Sequence, residues 1–296
     1  MIFEKTGSHS LKILAPAKLN LFLEVLGKRP DGFHELETIM QTVSLYDELN
    51  IHSKGKDIIF HSSGRDAGPP GENLVLKAAH LFRKKAKIRT GFEIHLNKLI
   101  PVGAGLGGGS SDCAAVLMGL NRLCESPLTQ NDLVTLGGAL GSDVPFFFYC
   151  GTARCTGRGE IIEPLYDVKP LHFLIFFPGI HLSTPKVYEN LNLGLTKRKN
   201  DSRLLIALSK NDNESKINKC LFNRLERSAL ESEPTLAGAM KTLEQKGFSS
   251  LRVTGSGSSF FTIQRELDAK GNRSEFLNMG LHWECFLVES SPSVHE

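Results

Sequence analysis

The chain has 296 residues, 41% of them hydrophobic and 23% charged, which leaves room for two domains with sizeable cores. Its net charge of +3 comes from dispersed lysines and arginines, so composition offers no basic stripe of the kind that grips nucleic acid. Six cysteines (113, 124, 150, 155, 220 and 285) lack C-x-x-C spacing and neighbouring histidine pairs, and read as reduced thiols of a cytoplasmic protein.

The first ten residues hold no apolar core of a signal peptide. Lys12 to Leu26 alternates strictly from Leu19 to Val25, which predicts a strand with one buried face. Lys18 and Asn20 lie side by side on its other face; from the pattern alone they are two solvated positions. Arg29-Pro-Asp-Gly32 is a turn, with Pro fixing φ and Gly taking the positive one. His34 to Val43 reads as the return strand of a hairpin, and Asp47 to Phe60 as further strand around a turn at 53–57. Ser62 to Glu72 is a loop. Asn73 then stands at the N-cap of a helix that runs to Lys85, and the basic run Arg83 to Lys87 is its solvated end.

Phe92 to Asn97 alternates apolar and polar residues, as a half-buried antiparallel strand does. It leads into Pro101-Val102-Gly103-Ala104-Gly105-Leu106-Gly107-Gly108-Gly109-Ser110-Ser111, ahead of a helical pattern beginning at Asp112. Glycine lacks the Cβ that bars left-handed backbone, so this loop can turn its N–H groups inward. The helix start adds free N–H groups and a partial positive charge. Together they make an anion site suited to a polyphosphate. Gly103-x-Gly105-x-x-Gly108 satisfies a dinucleotide fingerprint, but a half-buried strand is the wrong lead-in for one. A Walker A loop needs lysine after its last glycine, where Ser110 stands.

Thr129 and Asp132 begin another helix in capping-box positions. Asp143, in a Gly-Ser-Asp turn before the apolar run Val144 to Tyr149, is either a satisfied turn residue or a catalytic acid. Gly151 to Glu160 reads as the end of the first domain, and Leu171 to Pro178 as a buried strand; neither apolar run is long enough to cross a bilayer. Ser183 to Tyr188 starts a turn or helix, 197–202 is a polar linker, and helices are expected at 203–210, 218–231 and 235–246. Gly255-Ser-Gly257 lies between two strands and alone reads as a hairpin turn. A glycine cradle without its own lysine needs a cation from elsewhere, and phosphoryl transfer to an alcohol needs a carboxylate for the hydroxyl proton. Lys18 and Asp143 can supply both.

The spaced set Pro16-Ala-Lys-Leu-Asn20, Pro101 to Ser111 and Gly255-Ser-Gly257 resembles the three motifs of the GHMP kinases. Within them, Pro30-Asp-Gly-Phe-His34, Gly141-Ser-Asp-Val-Pro145 and Thr184-x₃-Tyr188 resemble the branch that phosphorylates 4-diphosphocytidyl-2-C-methyl-D-erythritol in the non-mevalonate isoprenoid pathway. The likeness runs from about Ile13 to Phe261.

It implies a two-domain α/β (α+β) fold: residues 1–165 like domain 2 of ribosomal protein S5, and residues 166–296 ferredoxin-like, with substrates in the cleft between. It implies Asp143 as general base and Lys18 as its charged partner, with residues 101–111 on the ATP phosphates and Asn73 and Leu74 near the adenine. Asn20, Phe33, His34, Thr184 and Tyr188 would bind the substrate, with Phe33 and Tyr188 on the cytosine ring. Magnesium would arrive with ATP, with no protein ligands identified. A monomer or weak homodimer without nucleic-acid or membrane partners is implied.

Two departures stand out: Phe33 where relatives usually carry Tyr, and Ala104 in place of a loop glycine, tolerable only at negative φ. The rival readings are another GHMP kinase (homoserine, mevalonate or sugar) and a non-catalytic binding protein on the same scaffold.

Overall fold

A computed structural model describes residues 1–193, 201–210, 212–264 and 283–291. The chain opens with three strands, β1 (Ile2–Gly7), β2 (Ser10–Lys28) and β3 (His34–Ser53), followed by β4 (Ile58–Gly64), helix α1 (Leu74–Ala86) and β5 (Phe92–Lys98). Helices α2 (Gly108–Leu123) and α3 (Gln130–Leu140) come next, then the hairpin β6 (Thr152–Gly157) and β7 (Ile161–Leu165). β8 (His172–Phe177) leads to α4 (Thr184–Glu189), α5 (Ser202–Ser209), α6 (Glu214–Asn218), the short β9 (Phe222–Asn223), α7 (Glu226–Ser232) and α8 (Pro234–Gln245). β10 (Arg252–Val253), β11 (Phe260–Gln264) and β12 (Glu284–Glu289) follow.

These strands form two sheets. The larger has the order β1-β2-β3-β5-β4, with β6 on the first half of β3, β7 beyond β6, and β9 beside β2. The smaller is antiparallel, in the order β10-β11-β8-β12. In chain order its strands lie second, third, first, fourth, with helices α4–α8 between the first and second, which is a ferredoxin-like arrangement. The 165/166 boundary falls in the connection between β7 and β8, yet β9 from beyond it joins the larger sheet.

Several local expectations hold. Asn73 caps α1 by accepting from Val75 N at 2.9 Å, and Thr129 and Asp132 form the reciprocal capping box of α3. Within the glycine-bearing segment 151–160, Thr152–Gly157 form β6, paired to β3. Two expectations need correction. β5 is antiparallel to β3 but parallel to β4, because the α1 crossover brings β4 in the same direction. The helix expected at 218–231 is broken into α6, β9 and α7, since the edge of β2 recruits Phe222 and Asn223. Of the polar linker at 197–202, residues 197–200 lie outside the described residues.

One hydrophobic core lies between the larger sheet and α1–α3, around Phe82, Phe92, Val116 and Phe146. The smaller sheet is buried on both faces. Phe173, Ile175 and Phe261 meet Leu19, Leu21 and Ile39 of the long hairpin, while Leu174, Phe176 and Phe260 meet α7 and α8. β2 therefore differs from its one-sided pattern: from Ala15 to Val25 it is covered on both faces. Buried side chains that are polar demand partners. Glu24 finds Arg224 in a two-point ion pair at 2.6 Å. Lys18 and Asn20, 3% and 2% exposed, are not solvated; they line a cleft between the sheets.

Candidate active site

The cleft holds a cavity of about 1410 Å³. Four pieces of chain meet at its floor: β2 at Lys18, the 101–111 loop, the 141–145 turn and the β10–β11 loop. Lys18 N donates to Leu106 O at 2.9 Å, which pins the strand to the glycine loop. The Lys18 ammonium donates to Asn20 Oδ1 and stands 3.6 Å from Asp143 Oδ2. Asn20 in turn donates from Nδ2 to Thr38 Oγ1 at 3.0 Å, and Thr38 donates to Phe22 O at 2.6 Å. Asn20 is thus committed to orienting the lysine. Asp143 keeps a third of its side chain exposed to the cavity, whereas Lys18 is nearly enclosed. The alternative of a satisfied turn residue loses ground, because among the described residues the Asp143 carboxylate pairs with that lysine alone and stays open to the cavity.

The glycine loop is shaped by what it touches. Gly105 has φ +77°, and a Cβ there would lie 2.2 Å from Thr254 O, so the two glycine loops are in backbone contact. Ser259 N donates to Ala104 O at 3.1 Å across the same seam. Gly107, at φ +71°, is the N-cap of α2, and a Cβ there would meet Lys18 Cγ at 2.8 Å. Only glycine lets the loop lie this close to Lys18. Ala104, buried, does not have positive φ, so its methyl costs the loop nothing. Residues 101–110 all line the cavity. Ser111 does not: it turns into the core with α2 and is fully buried.

Asn73 and Leu74 lie on the cavity wall at the start of α1. Asn73 spends its side chain on the cap and on Ala67 O at 3.3 Å. Across the cavity, Phe33, His34, Thr184 and Tyr188 form a second wall. Tyr188 stacks on His34 with ring centroids 4.8 Å apart and 29° between planes. Phe33 is half exposed and carries the Arg158 guanidinium 4.7 Å from its ring centre. Thr184 and Ser256 share a hydrogen bond of 2.8 Å, joining α4 to the second glycine loop. Burial, reinforced by Lys28, holds the His34 imidazole below its usual pKa and therefore neutral at pH 7.

Sequence reasoning missed a buried charge cluster under the glycine loop. Lys98 pairs with Asp47 and, at 2.7 Å, with Asp112 in the second turn of α2. Asp47 also accepts from Leu99 N at 2.6 Å and Ile100 N at 2.8 Å, fixing the backbone just ahead of Pro101. Burial, with the Asp47 charge beside it, pushes Asp112 up to about 7 against the pull of Lys98. Burial alone would lower Lys98, but the two carboxylates hold it above the usual lysine range. Lys98 ends a strand directly before the loop, a position that signals its role; nothing local ties it to Asp47, 51 residues away. Asn223, whose amide donates to Val253 O at 2.7 Å and Gly255 O at 2.8 Å, was equally silent.

Chemically, the floor offers main-chain amides and a helix N-terminus for phosphate, a cation, and an ionisable acid beside it. A magnesium ion would find the Ser110 hydroxyl on the loop, while the nearby Asp112 is engaged by Lys98.

Residues 73–151 match the family model for the GHMP kinases N terminal domain. The chain is similar to the 4-diphosphocytidyl-2-C-methyl-D-erythritol kinase of Protochlamydia amoebophila (strain UWE25), 42% identical over 86% of this chain and 84% of that one. It is 40% identical to the enzyme of that name from Thermotoga maritima, over 92% and 97% of the two chains. A crystal structure of 4-(cytidine 5'-diphospho)-2C-methyl-D-erythritol kinase superposes with a TM-score of 0.78 at 33% identity, covering 95% of this chain and 99% of that one. With identity of this level across nearly the whole length, the chain belongs to the 4-diphosphocytidyl-2-C-methyl-D-erythritol kinase family of the GHMP kinases.

Proposed function

We propose that the protein transfers the γ-phosphoryl group of ATP to the 2-hydroxyl of 4-diphosphocytidyl-2-C-methyl-D-erythritol, giving the 2-phosphate and ADP, a step of the non-mevalonate isoprenoid pathway. The observation that carries this reading is the Lys18–Asp143 pair, 3.6 Å apart, opening onto the glycine loop within one cavity. Asp143 accepts the proton of the substrate hydroxyl as its oxygen attacks the γ-phosphorus, and the bond to the bridging oxygen of ADP breaks. Lys18 holds the Asp143 carboxylate in place and offsets negative charge on the reacting oxygens. The amides of residues 103–110, with the α2 N-terminus, bind the phosphates. Magnesium, delivered with ATP, would neutralise phosphate charge, with Ser110 within reach and most ligands coming from phosphate and water.

Phe33, His34 and Tyr188 would receive the cytosine, and Thr184 the groups beside it. Asn73 and Leu74 would flank the adenine. Asn20 acts by holding Lys18. We read residues 1–165 and 166–296 as two domains around the cleft, in a cytoplasmic protein that is a monomer or weak homodimer. Among the described residues no helix is long and apolar enough to cross a membrane.

The test is incubation with ATP and the diphosphocytidyl substrate, with the new phosphate located by ³¹P and ¹³C NMR. Phosphate on the 2-oxygen, with no ADP released from homoserine, mevalonate or sugars, is the expected result. Turnover of one of those alcohols in preference would transfer the protein to another GHMP activity.

A further inference from the structure

The larger sheet has a face that the kinase chemistry does not use. Along β5 the side chains alternate: Phe92, Ile94, Leu96 and Lys98 are buried toward the helices, and Glu93, His95 and Asn97 point the other way. β4 runs parallel beside it with His61 directly opposite His95. Glu93 lies two residues before His95, so all three side chains leave the same side of the sheet. They are on the face opposite Leu96 and Lys98, which line the substrate cavity.

Their polar atoms converge. His95 Nε2 is 3.2 Å from Glu93 Oε1, and His61 Nε2 is 3.9 Å from the same oxygen. The two imidazoles stack with centroids 4.6 Å apart and planes 23° from parallel. One ligand atom from each residue falls within 4.8 Å of the other two, the only such group of histidine, cysteine and carboxylate among the described residues. The other carboxylate oxygen, Glu93 Oε2, is held by Lys54 at 3.2 Å, which leaves Oε1 turned toward the rings. A tetrahedral zinc site with bonds near 2.0 Å sets its ligand atoms about 3.3 Å apart. The His95–Glu93 distance matches this already, and a small rotation of the exposed His61 ring closes the rest.

We propose that His61, Glu93 and His95 form a surface binding site for a divalent transition-metal ion, zinc above all, separate from the kinase cleft. Two imidazoles and one carboxylate are the donor set of open zinc sites, with water in the remaining position. Lys54 serves as the outer partner that orients the carboxylate. Two adjacent strands hold the ligands, and such a scaffold is already rigid before the ion arrives. The site does not depend on the kinase reading.

The experiment uses the full-length chain, stripped with EDTA and titrated calorimetrically with zinc, alongside the double variant His61→Ala/His95→Ala. The wild type should take up one zinc that the double variant binds at least about tenfold more weakly, because loss of even an outer partner of a metal ligand costs that much. Crystals soaked in zinc should show an anomalous peak between the three side chains. Both positions are solvent-facing, so the variant should keep the wild-type circular dichroism and its zinc-free kinase rate. No zinc uptake by the wild type, equal uptake by the double variant, or a peak elsewhere would overturn the proposal.

Discussion

Lys98 serves two aspartates at once, and the two have unequal claims on it. Asp47 carries two further backbone hydrogen bonds, from Leu99 and Ile100, while Asp112 Oδ1 has no partner among the described residues. Asp47→Asn should therefore be the damaging change, costing about 3–5 kcal/mol as for a broken buried pair, measured by urea denaturation. Asp112→Asn should leave the fold intact. A carboxyl raised to about 7 in the folded state binds protons more tightly there than when unfolded. Its contribution to stability is then complete below its ordinary pKa of 3.8 and lost as pH rises through about 7. Stability of the wild type should fall over that window relative to Asp112→Asn; identical pH profiles of the two would refute the assignment.

Tyr188 makes a second residue-scale prediction. Base stacking is worth about 1–3 kcal/mol, so Tyr188→Ala should raise KM for the diphosphocytidyl substrate roughly 5- to 150-fold. The KM for ATP, read in the same assay, should stay near wild type.

At the scale of elements, the 101–111 glycine loop and its helix were legible because glycine spacing itself permits the close approach: Gly105 and Gly107 take positive φ where Thr254 and Lys18 press closest. Gly105→Ala places a methyl into Thr254 O and strains the backbone, and should lower ATP affinity more than tenfold in a fluorescent-nucleotide titration. α1 and α3 were legible through their caps. β9 was not, because two residues carry no period, and only the exposed edge of β2 makes Phe222 and Asn223 a strand. β5 was half legible: its alternation revealed the buried face, but strand direction is set by its neighbours and not by its own residues. The hairpin β2–β3 showed its apolar face, which the smaller sheet covers, while the burial of its polar face came from the two glycine loops, which press Gly107 and Gly255 against Lys18 and Asn20.

For the whole molecule, the two sheets pack so that one long hairpin serves both, with Leu19, Leu21 and Ile39 in the shared core and Lys18 at the open end of it. Ion pairs stitch the halves together: Arg224 to Glu24, and Arg154 to Asp201, while Glu37 of β3 holds the same Arg154 guanidinium. The identities of Lys18 and Asp143 as candidates were readable from residue type, whereas their 3.6 Å approach depends on strands and turns 125 residues apart in the chain folding onto one cleft. The most direct test of that convergence is the Asp143→Asn variant, isosteric and without a proton-accepting charge. Nucleotide affinity should remain within about twofold of wild type while kcat falls by about 10²–10⁴. A variant that turns over at the wild-type rate would contradict Asp143 as the base.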